Sequence, residues 1–515
     1  MDNRFDLHNR PENAAKQREF SAKTGPERDQ LVAAAYGEAE LLHADTLDTL
    51  AGRAEGQDRE QLDLALTLAQ RIKAEGGMAL VVGGYVRDLA LSKFGYQIKP
   101  KDLDLEIYGL EFDRLMTILQ DYGEPNIVGA SFVGIKLNGL DITLPRRDSK
   151  TGVGHRGFTV EGDPQMSVKE AGRRRDFTIN ALALDPFTGQ IIDHYGGLED
   201  IKRKMVRAID ARSFSEDSIR VLRAAQFAGR FNFTVEEQTA ELCRSLPLDD
   251  LPKERIGEEW LKLLMKSPRP SIGLEQARDL KIIEKLHPEL QALIGLPQNP
   301  EWHPEGDVWT HTLMTVDEAA QIVQRENLDE DDAQILLLAG LCHDTGKATT
   351  TAVDERGRVI SHSHTEEGVQ PTVNFLRSLN IKEKNIAKIV PLVREHMFPQ
   401  VQSNFTNRAL GRLSRRLGET SIQMLVWLAE ADMHGRALPW KGFSSGDELL
   451  AQAKALNINE AKPIRLITGK DLINQGVPGN PEMGRILEEL EGAQLEGKFT
   501  TKEEGLEYYW QHLAK

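Results

Sequence analysis

The sequence predicts an α+β protein, with a small mixed sheet in its first 210 residues or so and a helical remainder. Three observations lead there. Leu80 to Asp104 reads as a buried strand, a diglycine turn, a helix start and a second strand. Asn126 to Leu144 alternates apolar and polar residues like a hairpin, and from Thr234 to about Pro300 the pattern is helical, with prolines as breaks.

A chain of 515 residues exceeds one ordinary core, so at least three folding units are expected. Apolar residues make up 40% and charged ones 28%, and the longest apolar run, Ile335 to Cys342, is too short to span a membrane. The two cysteines, Cys243 and Cys342, lie far apart in apolar helical contexts, and the start of the chain lacks an apolar signal core. A cytoplasmic protein with buried thiols and no membrane partner is expected. The net charge of −16 by itself argues against nucleic-acid binding, yet basic residues cluster at Arg146 and Arg147, Arg173 to Arg175, Lys202 to Lys204, and Arg412, Arg415 and Arg416.

Residues 1–57 are polar and charged and read as a partly disordered extension, with a short helical segment around Leu41, Leu42, Leu47 and Leu50. From Asp58, Leu62, Leu66, Ala69 and Ile72 recur at helical spacing until Gly76 and Gly77. The strand Leu80 to Val82 then meets Gly83 and Gly84, whose backbone can approach an anion closely. The following helix start offers free N–H groups, and Arg87 adds a fork of donors. On the next strand Asp102 and Asp104 share one face while Leu103 and Leu105 take the other. Neighbouring carboxylates repel, so a divalent cation between them is the expected partner.

A helix over Phe112 to Asp121 leads to the hairpin, which turns at Asn138 and Gly139 and places Asp141 early in its second arm. A strand paired beside Asp102 and Asp104 brings this third carboxylate to the other two. Residues 144–164, rich in Gly and basic residues, among them Arg146, Arg147, Lys150 and His155, read as a mobile loop. Three consecutive arginines, Arg173 to Arg175, repel one another and imply a polyanion partner. Ile191 to Ile201 closes the sheet with a strand and a turn at Gly197.

Ser213 to Phe231 reads as a capped helix with Ser215 as N-cap, Glu216 and Asp217 at its positive end, and Arg220 and Arg223 one turn apart. Cytosine and adenine both carry an exocyclic amino donor beside a ring-nitrogen acceptor. Asp217 can accept from the first and Arg220 can donate to the second, which selects C and A.

Further on, His311, His343, Asp344, His364, His396 and Asp432 follow in the order H…HD…H…H…D. Adjacent His343 and Asp344 after an apolar helix, with distant histidines and an acid on other helices, suit a divalent metal.

The combination GGYVRDL, KDLDLE, RRDxTINA and EDxxRxxR resembles the nucleotidyltransferase branch that contains bacterial CCA-adding tRNA nucleotidyltransferases and poly(A) polymerases. The resemblance implies transfer of a nucleoside monophosphate from ATP or CTP to an RNA 3′ end, tRNA above all, by a two-metal mechanism with Mg²⁺. It implies that Asp102, Asp104 and Asp141 are catalytic. It assigns Gly83, Gly84, Arg87, Arg175, Asn180 and Arg223 to the nucleotide's phosphates and ribose, and Glu216, Asp217 and Arg220 to the base. The family commonly has another arginine where this chain has Gln226.

The second cluster resembles the HD phosphohydrolase superfamily, a domain found in one subgroup of the same enzymes. That implies His311, His343, Asp344 and Asp432 as ligands of a divalent transition metal, with His364 and His396 at a second metal or the scissile phosphate. The expected organisation is a polar extension (1–57), a nucleotidyltransferase head (58–210), a helical neck (211–300), an HD domain (301–440) and a tail (441–515) that resembles the family's C-terminal module and would help hold RNA.

CCA addition to tRNA is the leading expectation. A poly(A) polymerase or a partial CC- or A-adding enzyme is the rival within the same chemistry. An HD phosphohydrolase as the main activity and an RNA-binding protein without catalysis are the rivals outside it, the last disfavoured by the three carboxylates.

Overall fold

The computed structural model describes residues 25–128, 134–150, 158–401, 405–439, 442–460 and 464–514. They fall into two compact units, one of Met1–Ala224 with Phe233–Asp250, the other of Ala225–Asn232 with Leu251–Lys515.

In the first unit the strands are β1 (Glu40–His43), β2 (Met78–Val82), β3 (Asp104–Tyr108), β4 (Asn126–Val128), β5 (Gly134–Leu137), β6 (Leu140–Thr143), β7 (Arg146–Lys150), β8 (Phe158–Gly162), β9 (Ala183–Leu184), β10 (Gln190–Asp193), and the short parallel pair β11 (Met205–Val206) and β12 (Thr234–Val235). Among the described residues, eight of them form one mixed sheet in the order β1-β10-β9-β2-β3-β6-β5-β4. All neighbours are antiparallel except β3 and β6, which run parallel. β2 is central and buried at every residue, which is why its sequence is a continuous apolar run. The β5–β6 hairpin turns at Asn138 and Gly139, whose φ of +48° and +85° are what a two-residue turn of primed type requires.

Five expectations change here. Residues 40–43 are a strand: β1 pairs with β10 from Glu40↔Asp193 to His43↔Gln190 and forms an edge of the sheet, so this part of the expected extension belongs to the head. The helix Gly25–Tyr36 likewise packs Val32, Ala35 and Tyr36 against Met78, Leu80 and Tyr108, and Tyr36 donates to Asp185 at 2.6 Å. Residues 1–24 lie outside the described residues. β10 therefore does not close the sheet, and the left-handed residue after it is Gly196, with Gly197 starting the helix Gly197–Lys202.

Asp102 is not on a strand. It sits in a bend at φ +57°, and β3 starts at Asp104, so strand alternation does not set its direction. The segment read as a loop is a ladder, β7 with β8, from Arg146↔Gly162 to Lys150↔Phe158. His155 lies outside the described residues. Finally, the helix expected over 213–231 is two helices, Ala211–Phe214 and Ile219–Phe231. Ser215 terminates the first, its hydroxyl donating to Ala211 O at 2.7 Å, and Asp217 accepts from Ile219 N at 3.3 Å to start the second.

The second unit is helical apart from a small ladder, Thr351–Val353 with Val359–Ser361. Its prolines at 270 and 288 open helices, where a missing N–H is harmless. Four of its helices, Val308–Arg325, Glu330–Cys342, Glu383–Glu395 and Ile422–His434, bury faces rich in Leu, Ile and Ala. The tail helices Gly469–Asn474, Glu482–Leu495 and Lys502–His512 bury a cluster of their own around Leu472, Leu490, Phe499 and Tyr509. Cys243 and Cys342 are both free and buried, and burial drives the Cys342 thiol far up. No helix among the described residues is long and apolar enough to cross a membrane.

Candidate functional site

In the head, β2 delivers the chain to Gly83, whose φ of +75° re-aims it into the helix Gly84–Lys93. A side chain at Gly83 would have its Cβ 3.2 Å from Arg175 Nη1 and 3.3 Å from Asp104 Oδ2. Glycine thus lets a guanidinium and a carboxylate converge on one turn. Asp104 lies opposite Asp141 in the parallel β3–β6 pair, and Lys136 Nζ stands 2.8 Å from Asp141 on the solvent side.

Burial pushes the Asp104 carboxyl up to about 6. Asp141 and Asp102 push the same way, while Arg175 and Lys136 oppose. Two carboxylates near enough to raise a third, beside a guanidinium, make a donor set for a divalent cation.

Behind this cluster lies a buried polar network. Arg87, 5% exposed, donates from Nε to Asp88 at 2.7 Å and from Nη1 to Asn180 Oδ1 at 2.8 Å. Asn180 donates to Asp176 Oδ1 at 2.8 Å, and Arg223 donates from Nε to Asp176 Oδ2 at 2.6 Å. The donors expected on an anion at Arg87, Asn180 and Arg223 thus have partners within the protein. Burial of Asp176 raises its pKa, but Arg223 and Asn180 prevail and hold it below the usual carboxylate range.

The arginine run is also matched. Arg174 meets buried Glu106 at 2.8 Å, Arg175 approaches the same carboxylate at 3.6 Å, and Arg173 pairs with Asp210 at 2.9 Å. Mutual repulsion therefore does not by itself require a polyanion, because acids of the head already lie among the arginines. Glu106 was missed by sequence reasoning, although it follows Asp104 by two residues on the same strand face.

Glu216 and Asp217 lie half-buried between the two helices. Arg220 Nη1 and Nη2 donate to the carbonyls of Ser213 at 2.7 Å and Arg174 at 2.6 Å, tying this segment to the arginine run. Gln226 is buried, with its amide nitrogen lacking a partner.

In the second unit all six predicted residues converge. His311 Nε2 lies 3.0 Å from Asp432 Oδ1 and 3.3 Å from His343 Nε2. Asp344 lies 3.2 Å from His343 Nε2 and 3.4 Å from His364 Nε2, and His364 and His396 are 3.4 Å apart. His343, His364 and His396 each donate from Nδ1 to the carbonyl three residues earlier, at 2.8, 2.8 and 2.7 Å. A carbonyl only accepts, so Nδ1 holds the proton and each Nε2 turns a lone pair inward.

Asp344 Oδ2 is buried without a properly aligned hydrogen bond, though Lys347 Nζ is 2.7 Å away. A buried carboxylate among inward-facing imidazole nitrogens fits a divalent metal. Burial opposes ionisation of Asp344, but His343 and Lys347 hold it well below its ordinary value; burial and the neighbouring His343 and His364 depress His396 to about 3.

The cluster floors a cavity of about 570 Å³ whose lining includes Trp302, His303, Lys347, Met397, Gln400 and Arg436. Of these, Lys347 and Arg436 bring positive charge, and sequence reasoning singled out none in this role. The only available signal was their proximity in sequence to the motif residues.

Residues 79–207 match the family model described as Poly A polymerase head domain, residues 232–294 the probable RNA and SrmB-binding site of polymerase A, and residues 308–431 the HD domain. A multifunctional CCA protein of Stenotrophomonas maltophilia is 35% identical over 60% of this chain and 75% of its own length. One from Xanthomonas campestris pv. campestris is 33% identical over 68% and 83%. Among solved structures, a Thermotoga maritima CCA-adding enzyme complexed with tRNA aligns with a TM-score of 0.56 at 20% identity, covering 92% of this chain and 99% of its own. A Bacillus stearothermophilus CCA-adding enzyme in complex with CTP aligns with a TM-score of 0.60 at 20% identity, over 89% and 99%. With two sites on one chain, three matching family models and relatives at this identity, the chain belongs to the family of the multifunctional CCA proteins.

Proposed function

We propose that this chain is a CCA-adding tRNA nucleotidyltransferase that extends tRNA 3′ ends from CTP and ATP, with a phosphohydrolase activity in its HD domain. The observation that carries the first part is the meeting of Asp104 with Asp141 across the parallel strands and with Arg175 at the Gly83 turn.

Asp102 and Asp104 are the residues that would hold two Mg²⁺ ions. When bound, one would lower the pKa of the 3′ hydroxyl and the other would neutralise charge on the leaving pyrophosphate. In the transfer, the 3′ oxygen forms a bond to the α-phosphorus as the bond to the pyrophosphate oxygen breaks. Asp141 helps to activate the hydroxyl. Gly83 and Gly84 let the triphosphate lie close to the backbone, and Arg175 supplies a fixed cation. Arg87, Asn180 and Arg223 belong to the phosphate and ribose side through the Asp176 network, which fixes their positions. Glu216, Asp217 and Arg220 read the base, and the two carbonyl bonds of Arg220 support that reading by holding its guanidinium rigid.

The test is incubation with Mg²⁺ and a tRNA lacking its last three nucleotides, supplied with CTP, ATP or both. Growth by two nucleotides with CTP and three with both establishes CCA addition. A long ladder with ATP alone identifies a poly(A) polymerase instead, and no growth removes the reading.

The HD part rests on the buried imidazole and carboxylate cluster flooring a cavity lined by Lys347 and Arg436, a setting for a metal-bound phosphate ester. His311, His343, Asp344 and Asp432 would hold a divalent transition metal, with His364 and His396 facing a second ion or the phosphate. Hydrolysis of p-nitrophenyl phosphate that survives Asp104→Ala and disappears in His343→Ala is the expected result.

A further inference from the structure

The rings of the HD cluster are oriented in two different ways. His343, His364 and His396 each have Nδ1 on a backbone carbonyl. His311 and His303 instead share one side chain: Glu305 Oε1 lies 3.0 Å from His311 Nδ1 and 2.9 Å from His303 Nδ1. The Glu305 side chain is 2% exposed, and its other oxygen accepts from Ala437 N at 3.2 Å. The His303 contact is a well-aligned hydrogen bond, whereas His311 Nδ1 lies within reach of the same oxygen but less well aligned. The two rings meet edge to face with centroids 4.7 Å apart, and His303 lines the cavity while His311 is fully buried.

A buried carboxylate needs compensation, and here two imidazoles supply it. In return, a carboxylate behind Nδ1 keeps the proton there, fixes the ring and makes its Nε2 a stronger donor to a metal. We infer that Glu305 is a positioning residue of the HD site: shared between the Nδ1 atoms of His311 and His303, it aims the Nε2 of His311 at the metal and presents the second ring to the cavity. This rests on the reading of the cluster as a metal site. It adds a group that is neither a ligand nor part of the H…HD…H…H…D series.

The experiment is titration of the full-length chain with Co²⁺ alone, followed by calorimetry and by the visible absorption of the bound ion. An Asp104→Asn background keeps the head from contributing, and imidazole sites favour this ion over carboxylate ones. Glu305→Gln preserves shape and removes charge, and is expected to weaken Co²⁺ binding about 10–100-fold and shift the absorption band. Glu305→Asp, which restores the charge, should recover part of the affinity, and His303→Gln, which leaves the His311 contact in place, should cost less than Glu305→Gln. Parent affinity in Glu305→Gln overturns the inference, as does an equal loss in His303→Gln, which would make His303 a ligand. If Glu305→Gln fails to fold by circular dichroism, Glu305→Asp decides, and unchanged affinity and spectrum there overturn the inference. His343→Ala is the control for the underlying reading. Undiminished Co²⁺ binding in that variant removes the metal site itself, whereas its loss alongside a normal Glu305→Gln removes only the role of Glu305.

Discussion

Asp104 and Asp141 stand opposite each other on two parallel strands, with Asp141 carried there by a hairpin that turns at Asn138 and Gly139. Two acids in register on one sheet weaken the metal-free protein, because burial and mutual repulsion raise the Asp104 pKa from 3.8 to about 6. A folded-state pKa above the unfolded one favours the protonated folded form. Stability is therefore lost as pH climbs between those two values, and the deficit is complete above about 6.

Asp104→Asn should then stabilise the metal-free chain at pH 7.5 by about 2–3 kcal/mol. Thermal melts in EDTA at pH 7.5 check this, with the gain shrinking toward pH 4.5. Added Mg²⁺ should raise the parent's Tm more than the variant's. A variant no more stable than the parent in EDTA would contradict the strained-carboxylate account.

Gly83→Ala places a methyl 3.2 Å from Arg175 Nη1 and 3.3 Å from Asp104 Oδ2, at a φ that alanine resists. Displacing either group by a fraction of an ångström should lower nucleotide incorporation about 100-fold, with the fold retained. Single-nucleotide extension rates with CTP, beside circular dichroism spectra, measure this.

Gly346 touches a different site. A Cβ there would fall 2.0 Å from His364 O and 2.5 Å from Gly368 N, so the segment carrying His364 must move. Gly346→Ala should abolish phosphatase activity and cost about 1–3 kcal/mol, while tRNA extension continues. Equal loss of both activities would show general unfolding instead.

His287, wedged between Trp260 and Phe375, has its pKa driven by burial from 6.5 down to about 3. The unfolded chain takes up a proton below pH 6.5 that the folded chain refuses, so stability falls as pH drops from there toward 3. At pH 5 the penalty is about 2 kcal/mol. Urea titrations at pH 7 and pH 5 should show a smaller pH dependence in His287→Phe than in the parent.

Much of both sites was legible because short patterns carry them. The apolar run of β2 ending in Gly83, the Asn138–Gly139 turn and the adjacency of His343 and Asp344 are local features, governed by backbone geometry over a few residues. Sequence reasoning failed where partners are distant. β1 looked helical because Leu41 and Leu42 are adjacent and the strand is only four residues long; its pairing with β10 depends on residues some 150 positions away. Asp102 looked like a strand residue until the bend before β3 was seen. Arg173 to Arg175 looked unmatched because Glu106 and Asp210 lie far off in sequence.

By itself the sequence determined the chemistry of this protein: which acids, imidazoles and glycines are present, and the local periodicities that place them on strands, helices or turns. The tertiary structure decided which of them meet. It set the register that opposes Asp104 to Asp141, the network that turns Arg87 and Arg223 onto protein partners, and the single carboxylate of Glu305 behind two rings. The reason is physical. Local conformation follows from steric preferences within a few bonds, whereas register, partner choice and burial follow from packing and charge compensation across whole units, where no short stretch holds enough information to choose.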